Sequence, residues 1–328
     1  WLQGEADLAG LSASLRDAAR AAAQARGKPD GYAITLSRSS VVPFLTFSER
    51  RDLREQAFSA WVTRGAHAGP SDNRPLAVDI LRLRAEQARL HGYPTFADYA
   101  LVDRMAKTPA AARNLLMQAW VPACARMRED EAALDALRIS HGCTEPLARW
   151  DWRFFAEKVR QARFDLDDAE VKPYFELGAM MRAMFGVAGK LFGLTFVEKP
   201  GMPLYHPDVR LFEVLRGDTL VGLFIADNFA RPSKQGGAWM SGYRWQTRNT
   251  ENGAVIPIIG NHNNFSKPPA GQPALLTFDD VRTLFHEFGH DLHGLLSNVH
   301  YEKLSGTNVL QDYVELPSQL FEHWALEE

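Results

Sequence analysis

The chain has 328 residues, 46% of them apolar, which is enough for the core of one large domain or two smaller ones. Its formal net charge of -3 excludes the broad basic surface that nucleic acids or anionic membranes need, and no apolar run reaches membrane-spanning length. Two cysteines are too few for a disulfide framework. They fit a reducing compartment, so we expect the cytoplasm, with the periplasm left open as an alternative. We also expect a monomer.

The chain begins at Trp1 rather than at a Met and ends at Glu328 within a helical pattern, so we expect a central fragment of a longer protein. Most of its first 200 residues show the three- and four-residue apolar spacing of helices. We predict helices at about 8–26, 48–63, 73–91, 95–104, 109–137, from 150 onward, and at 173–193. One short strand is expected at 32–36, where apolar and polar residues alternate.

From residue 201 the pattern changes to short β-rich runs separated by turn residues. The predicted strands are 211–215, 219–225, 238–245 and 254–259. They indicate a small, mostly antiparallel sheet between the helical region and the helix that follows. The expected fold class is therefore predominantly α-helical, α+β, with a helical scaffold over 1–200 and a catalytic region over 201–328 that together form one continuous fold.

The most informative stretch is an H-E-x-x-H pattern that runs from His286 to His290. Thr277 and Asp280 form a capping pair that can begin a helix before it. On a helix, His286 and His290 lie one turn apart and point the same way, so their imidazoles can bind one zinc ion per chain. Glu287 lies beside the metal rather than on it, where a general base for a metal-activated water is expected.

A catalytic zinc usually takes a third protein ligand, and several residues here are candidates. His293 lies nearly on the same face, but it would crowd a tetrahedral site, so we interpret it as a residue that packs beside the ligands. Glu315 is expected in a second helix, over 308–328, that folds back antiparallel to the first. Glu302, in the loop between the two, is the alternative third ligand.

Two residues near Glu315 have predicted supporting roles. Pro317 removes a backbone N–H and should kink the second helix beside this glutamate. Asp312, one turn before Glu315, is a candidate for orienting a ligand imidazole.

The runs 285–296 and 304–328, with 150–155 and 236–239, resemble the M3 (thimet oligopeptidase) family of zinc peptidases. The resemblance implies that His286, His290 and Glu315 bind zinc and that Glu287 is the general base. It also implies a largely helical fold with a deep channel that admits short unstructured peptides. By the same resemblance, Gly237, Ala238 and Trp239 belong to the sheet edge that pairs with the substrate backbone, and Gly306 and Thr307 contact substrate.

Within the family, the motifs around Gly306-Thr307-Asn308 are most similar to those of peptidyl-dipeptidases, which release dipeptides from C-termini. An oligopeptidase that cuts inside short peptides is the first alternative, and a metal-free helical interaction protein is an alternative from another class. Family members are longer, and their substrate-contacting tyrosines and histidine lie beyond the position of residue 328. We therefore expect these 328 residues alone to bind zinc but to hydrolyse peptides weakly or not at all.

Overall fold

The structure is a computed structural model that describes residues 1–164, 168–251, 253–268 and 271–327. Its helices in chain order are α1 (Ala13–Gln24), α2 (Arg38–Phe47), α3 (Arg51–Val62), α4 (Arg74–Leu90), α5 (Phe96–Ala100), α6 (Pro109–Ser140), α7 (Trp152–Phe164), α8 (Asp168–Val171), α9 (Leu177–Phe192), α10 (Phe278–Leu295) and α11 (Glu315–Glu322). The strands are β1 (Leu194–Glu198), β2 (Arg210–Arg216), β3 (Thr219–Phe229), β4 (Trp239–Arg244) and β5 (Ile258–Phe265). This content confirms the predicted α+β class.

The chain divides into two compact units, Trp1–Asp167 and Asp168–Glu328. The first contains α1 to α7, and the second contains the remaining helices and all the described strands. The predicted division at residue 200, into a scaffold and a catalytic region within one continuous fold, stays a prediction. Within the described residues, no helix combines the length and the apolar character needed to cross a membrane.

The strand predicted at 32–36 in the first unit is wrong. Tyr32 makes an isolated bridge with Leu2, and the chain then enters α2, which the sequence did not predict. Val41, Phe44 and Leu45 are the buried residues of α2, and their spacing is that of one helix face. This apolar face stabilises the helix although Pro43 lies inside it and removes one backbone donor.

The second unit is built around a five-stranded sheet of order β1-β2-β3-β5-β4. The pairing of β3 with β5 is parallel and the other pairings are antiparallel, so the prediction of a mostly antiparallel sheet is confirmed. The sequence did not predict β1, which follows directly after the left-handed Gly193 that ends α9. Because β4 lies at one edge of the sheet, its outer backbone groups are available for pairing.

One face of this sheet packs against α9 and α10. Phe224 and Ile259 from the strands and Phe288 from α10 are almost fully buried, and the rings of Phe224 and Phe288 lie 5.3 Å apart, edge to face. Met184 brings α9 into the same cluster. Burial of each large apolar side chain contributes roughly 1.5–3 kcal/mol, so this cluster holds α10 rigidly on the sheet.

The helix predicted over 308–328 is much shorter in the structure. Residues 311–314 form turns, α11 begins at Glu315, and a 3-10 turn, His323–Leu326, follows it. Pro317 therefore lies in the first turn of α11, where a backbone N–H has no partner within the helix. The predicted kink at Pro317 is wrong for that reason.

Candidate metal centre

The candidate site is built on α10, and a capping box fixes where this helix begins. The Thr277 hydroxyl accepts a hydrogen bond from the Asp280 backbone N–H at 3.1 Å, and the Asp280 carboxylate accepts one from the Thr277 N–H at 2.9 Å. Such a box satisfies two backbone donors that the helix end leaves unpaired. The prediction of this cap from the sequence is confirmed.

The two histidines of the pattern converge with Glu315. One Glu315 oxygen, Oε2, lies 3.2 Å from Nε2 of His286 and 3.2 Å from Nε2 of His290. The ligand atoms of the three residues all lie within 4.8 Å of one another. A tetrahedral zinc with bonds of about 2.0–2.2 Å separates its ligand atoms by roughly 3.4 Å. The three side chains therefore fit a divalent metal with nitrogen and oxygen ligands.

Glu315 reaches the histidines because α11 approaches α10 closely at Gly289. A Cβ built on Gly289 would lie 2.6 Å from the Cα of Ser318 and 2.9 Å from the backbone oxygen of Pro317. Any side chain at position 289 would push α11 outward. Glycine at this position therefore allows the close distance between α10 and α11. The fully buried Ser318 hydroxyl donates to Glu315 Oε2 at 2.9 Å and steadies the carboxylate.

A second carboxylate, Glu322, orients His286. Nδ1 of His286 lies 3.2 Å from Glu322 Oε2, and Arg282 donates to Oε1 of the same carboxylate from Nε at 2.9 Å. Burial raises the pKa of Glu322, but the hydrogen bonds from Arg282 and His286 outweigh it and leave this pKa below its usual value. A proton held on Nδ1 leaves the Nε2 lone pair of His286 free for a metal.

Glu287 is 7% exposed and lies on α10 directly after His286. Burial raises the pKa of its carboxyl to about 7; the neighbouring charge of Glu315 adds to the rise, while His286 opposes it. A carboxyl that titrates near neutral pH can both accept and release a proton there. The same burial lowers the pKa of His290, which favours the neutral imidazole that a metal requires.

The other candidates for the metal site do not belong to the metal-holding group found among the described residues. Of the two candidates for the third ligand, Glu315 belongs to the group of described residues that could hold a metal. The alternative, Glu302, lies in an exposed 3-10 turn. His293 is half-buried, and burial lowers its pKa. Asp312 is exposed in the turns before α11, so its predicted role stays a prediction. The carboxylate that hydrogen bonds His286 is Glu322, which lies two helical turns after Glu315; that spacing is the signal that sequence reasoning missed.

The residues predicted to contact substrate lie at two places. Gly237 has a left-handed φ of 94° and Ala238 follows it, so that Trp239 begins the edge strand β4. Gly306 also has a positive φ, and a Cβ on it would lie 2.5 Å from the Trp245 ring and 3.0 Å from the Cα of Gly294 on α10. Gly306 and the half-buried Thr307 that follows it therefore stand close to α10, and their substrate contacts stay predictions.

The fold and the site together define an α+β protein with a group able to hold a metal ion, formed by His286 and His290 of the H-E-x-x-H helix α10 and by Glu315 of α11. The sequence profile of peptidase family M3 matches residues 44–328, and the chain belongs to this family. The match confirms the resemblance inferred from the sequence.

Several curated relatives are similar to almost the whole chain. Dipeptidyl carboxypeptidase of Escherichia coli is 43% identical over 323 residues, which cover 98% of this chain and 47% of the relative. Oligopeptidase A of Salmonella typhimurium is 36% identical over 329 residues, which cover 98% and 48%. Saccharolysin of Saccharomyces cerevisiae is 28% identical over 308 residues, which cover 89% and 43%. The chain thus spans about half the length of these relatives or less.

Proposed function

We propose that this chain carries the zinc centre of a peptidase that releases dipeptides from the C-termini of short, unstructured peptides. One zinc ion would be held by His286, His290 and Glu315, with Glu287 as the general base. The observation that carries the proposal is the convergence of three ligand atoms within 4.8 Å of one another, beside a buried carboxyl. This combination suits metal-assisted hydrolysis of a peptide bond.

Each residue has a distinct task in this proposal. When bound, zinc supplies Lewis acidity, which lowers the pKa of water toward about 7 and polarises the scissile carbonyl. Glu287 takes the proton of the attacking water and passes it to the leaving amine, a task that suits a carboxyl whose pKa burial raises to about 7. Glu322 keeps the Nδ1 proton of His286 in place, and Ser318 holds the carboxylate of Glu315.

Peptide binding is proposed at the outer edge of β4, where the backbone from Trp239 onward can pair with an extended substrate. Pairing of this kind recognises an unstructured chain, because the substrate must lie as a strand. A monomer in the cytoplasm is part of the same proposal, and the free thiols of Cys124 and Cys143 are compatible with a reducing compartment. The charge balance argues against nucleic acid or an anionic membrane as partner.

The relatives support two cleavage modes. Dipeptidyl carboxypeptidase of Escherichia coli, at 43% identity, favours release of C-terminal dipeptides, and the 36% identity to oligopeptidase A makes internal cleavage the second candidate. The test is mass analysis of products from one peptide with a free C-terminus and from the same peptide with an amidated C-terminus. Because weak hydrolysis is expected of these 328 residues alone, the zinc-loaded chain is used at high concentration with long incubation. We expect small amounts of dipeptide from the free form and less cleavage of the amidated form. Equal cleavage of both forms at an internal bond would show the second mode.

A further inference from the structure

A cavity of about 360 Å³ lies in the second unit, on the face of the sheet that α10 does not cover. Met240 of β4 points toward α10, since its Cε lies 3.6 Å from where a Cβ on Gly294 would stand. Side chains alternate along a strand, so Trp239, Ser241 and Tyr243 point to the other face, where they line the cavity. The cavity is therefore separate from the candidate metal centre.

The floor of this cavity carries more positive than negative charge. The carboxylate of Asp227, 1% exposed, accepts two hydrogen bonds at 2.7 Å from Arg231 and one at 3.1 Å from Lys234. Burial lowers the pKa of His262, so this ring is neutral. Two cations thus face one buried anion, which disfavours a cationic ligand and favours an anionic one.

Donor groups for an anion are present at the cavity. An arginine has five N–H donors, and Arg231 directs two of them at Asp227, so its guanidinium has further donors for a ligand. The Tyr243 hydroxyl donates to the Tyr205 hydroxyl at 3.5 Å, which donates to Asp227 at 3.0 Å. Both phenol protons are therefore used within the protein, and the remaining guanidinium N–H groups of Arg231 are the donors that suit a carboxylate.

The indole of Trp239 gives the cavity one flat apolar wall, beside the polar side chains of Ser233, Gln235 and Ser241. The ring of Trp239 stacks on His262 with centroids 4.9 Å apart and an interplanar angle of 15°. A short hydrocarbon arm that carries a carboxylate would pack against this wall while its charged end meets Arg231.

The strand β4 connects this cavity to the proposed peptide-binding edge. A peptide added to the outer edge of β4 lies about 4.8 Å from it, with every second side chain on the cavity face. Ser241 lies between the large side chains of Trp239 and Tyr243 on this face of β4. Because the Ser241 side chain is small, it leaves a gap through which a long side chain of the bound peptide can extend into the cavity.

We infer that the cavity is a subsite for an acidic side chain, Glu or Asp, of the peptide that pairs with β4. This inference rests on the proposed function, because it needs a peptide at that edge. It adds a specificity element that the metal centre does not contain: one acidic position, at a fixed distance along the peptide from the scissile bond.

The test measures peptide binding by fluorescence anisotropy, with the zinc-loaded Glu287→Gln chain so that no cleavage occurs. Labelled peptides of one sequence carry Glu, Gln or Lys at each position in turn. We expect Glu to bind roughly tenfold more tightly than Gln at one position and Lys to bind more weakly there, with no such preference at the adjacent positions. Equal binding of Glu and Gln peptides at every position would overturn the subsite.

Two pairs of variants locate the effect. Ser241→Leu closes the gap and should abolish the Glu preference, while Ser241→Ala should keep it. Arg231→Gln should reduce the preference to about twofold or less. Arg216→Gln, exposed at the end of β2 and outside the cavity lining, should not. Thermal unfolding checks that each variant is folded. If zinc binds but no peptide does, the proposed function fails and the subsite with it; if peptides bind without a Glu preference, the subsite alone fails.

Discussion

The closest approach between the two helices of the metal centre makes Gly289→Ala the sharpest perturbation. The new Cβ would lie 2.6 Å from the Cα of Ser318 and 2.9 Å from the Pro317 oxygen, both backbone atoms that cannot rotate away. Ordinary carbon contacts are about 3.5–4.0 Å, so α11 must move outward by roughly 1 Å. A metal site tolerates only about 0.2 Å in its ligand distances, and Glu315 moves with α11.

The expected magnitudes follow from two opposing effects. Alanine gains about 1 kcal/mol over glycine inside a helix, whereas overpacking costs about 1–3 kcal/mol. We therefore expect Gly289→Ala to lower the free energy of unfolding by up to roughly 2 kcal/mol. Because Glu315 is displaced, zinc affinity should fall by about 10–100-fold, the loss typical when the support of a metal ligand is disturbed.

The assay pairs urea unfolding of the metal-free chain with zinc competition against a chromophoric chelator. The matched control is Gly186→Ala in α9, where a Cβ would meet no atom within 4 Å. That variant should be as stable as the wild type or up to about 1 kcal/mol more stable, with unchanged zinc affinity. The reasoning is refuted if Gly289→Ala binds zinc as tightly as Gly186→Ala does.

Three further predictions concern groups around the two sites. Glu322→Gln replaces the carboxylate that holds His286, so zinc affinity should fall about 10–100-fold in the chelator assay; an unchanged affinity would contradict this role. Thr277→Ala removes one half of the capping box and should lower the free energy of unfolding by about 1 kcal/mol without loss of zinc; no change in urea unfolding would contradict it. Asp227→Asn leaves Arg231 and Lys234 without their anion and should cost about 3–5 kcal/mol at pH 7. Burial raises the pKa of Asp227, but hydrogen bonds from Arg231 and Lys234 outweigh it and hold this pKa well below its usual range. The stability of the wild type over this variant is therefore present above about pH 4 and lost as the pH falls below it; a difference that stays constant down to pH 2 would contradict the assignment.

The core of the metal centre could be predicted from the sequence because its determinants are local. The Thr277 and Asp280 cap, the apolar period of α10 and the one-turn spacing of His286 and His290 all lie within one helix. Local patterns of this kind report directly on the face that a helix buries. The strands β2, β3 and β4 were predicted for the same reason, with boundaries within a few residues of the observed ones. The strand predicted at 254–259 overlaps β5 only at Ile258 and Ile259, so most of β5 was missed.

The remaining features depend on contacts between distant segments. The position of Glu322 against His286 follows from how α11 lies on α10, which Gly289 and Ser318 determine. The late start of α11 could not be predicted because residues 308–314 have a helical pattern but do not form a helix. The cavity beneath β4 combines residues from strands and a loop that are far apart in the sequence, so no single stretch reveals it.

Zinc content tests the central claim most directly. The purified chain should hold one zinc ion, measured by plasma mass spectrometry after dialysis against a weak chelator. Glu287→Gln should retain this ion, because Glu287 is proposed to act on water rather than to bind the metal, and Glu315→Ala should lose it. A wild-type chain without stoichiometric zinc, or a Glu315→Ala variant that binds it as tightly as the wild type, would contradict the account.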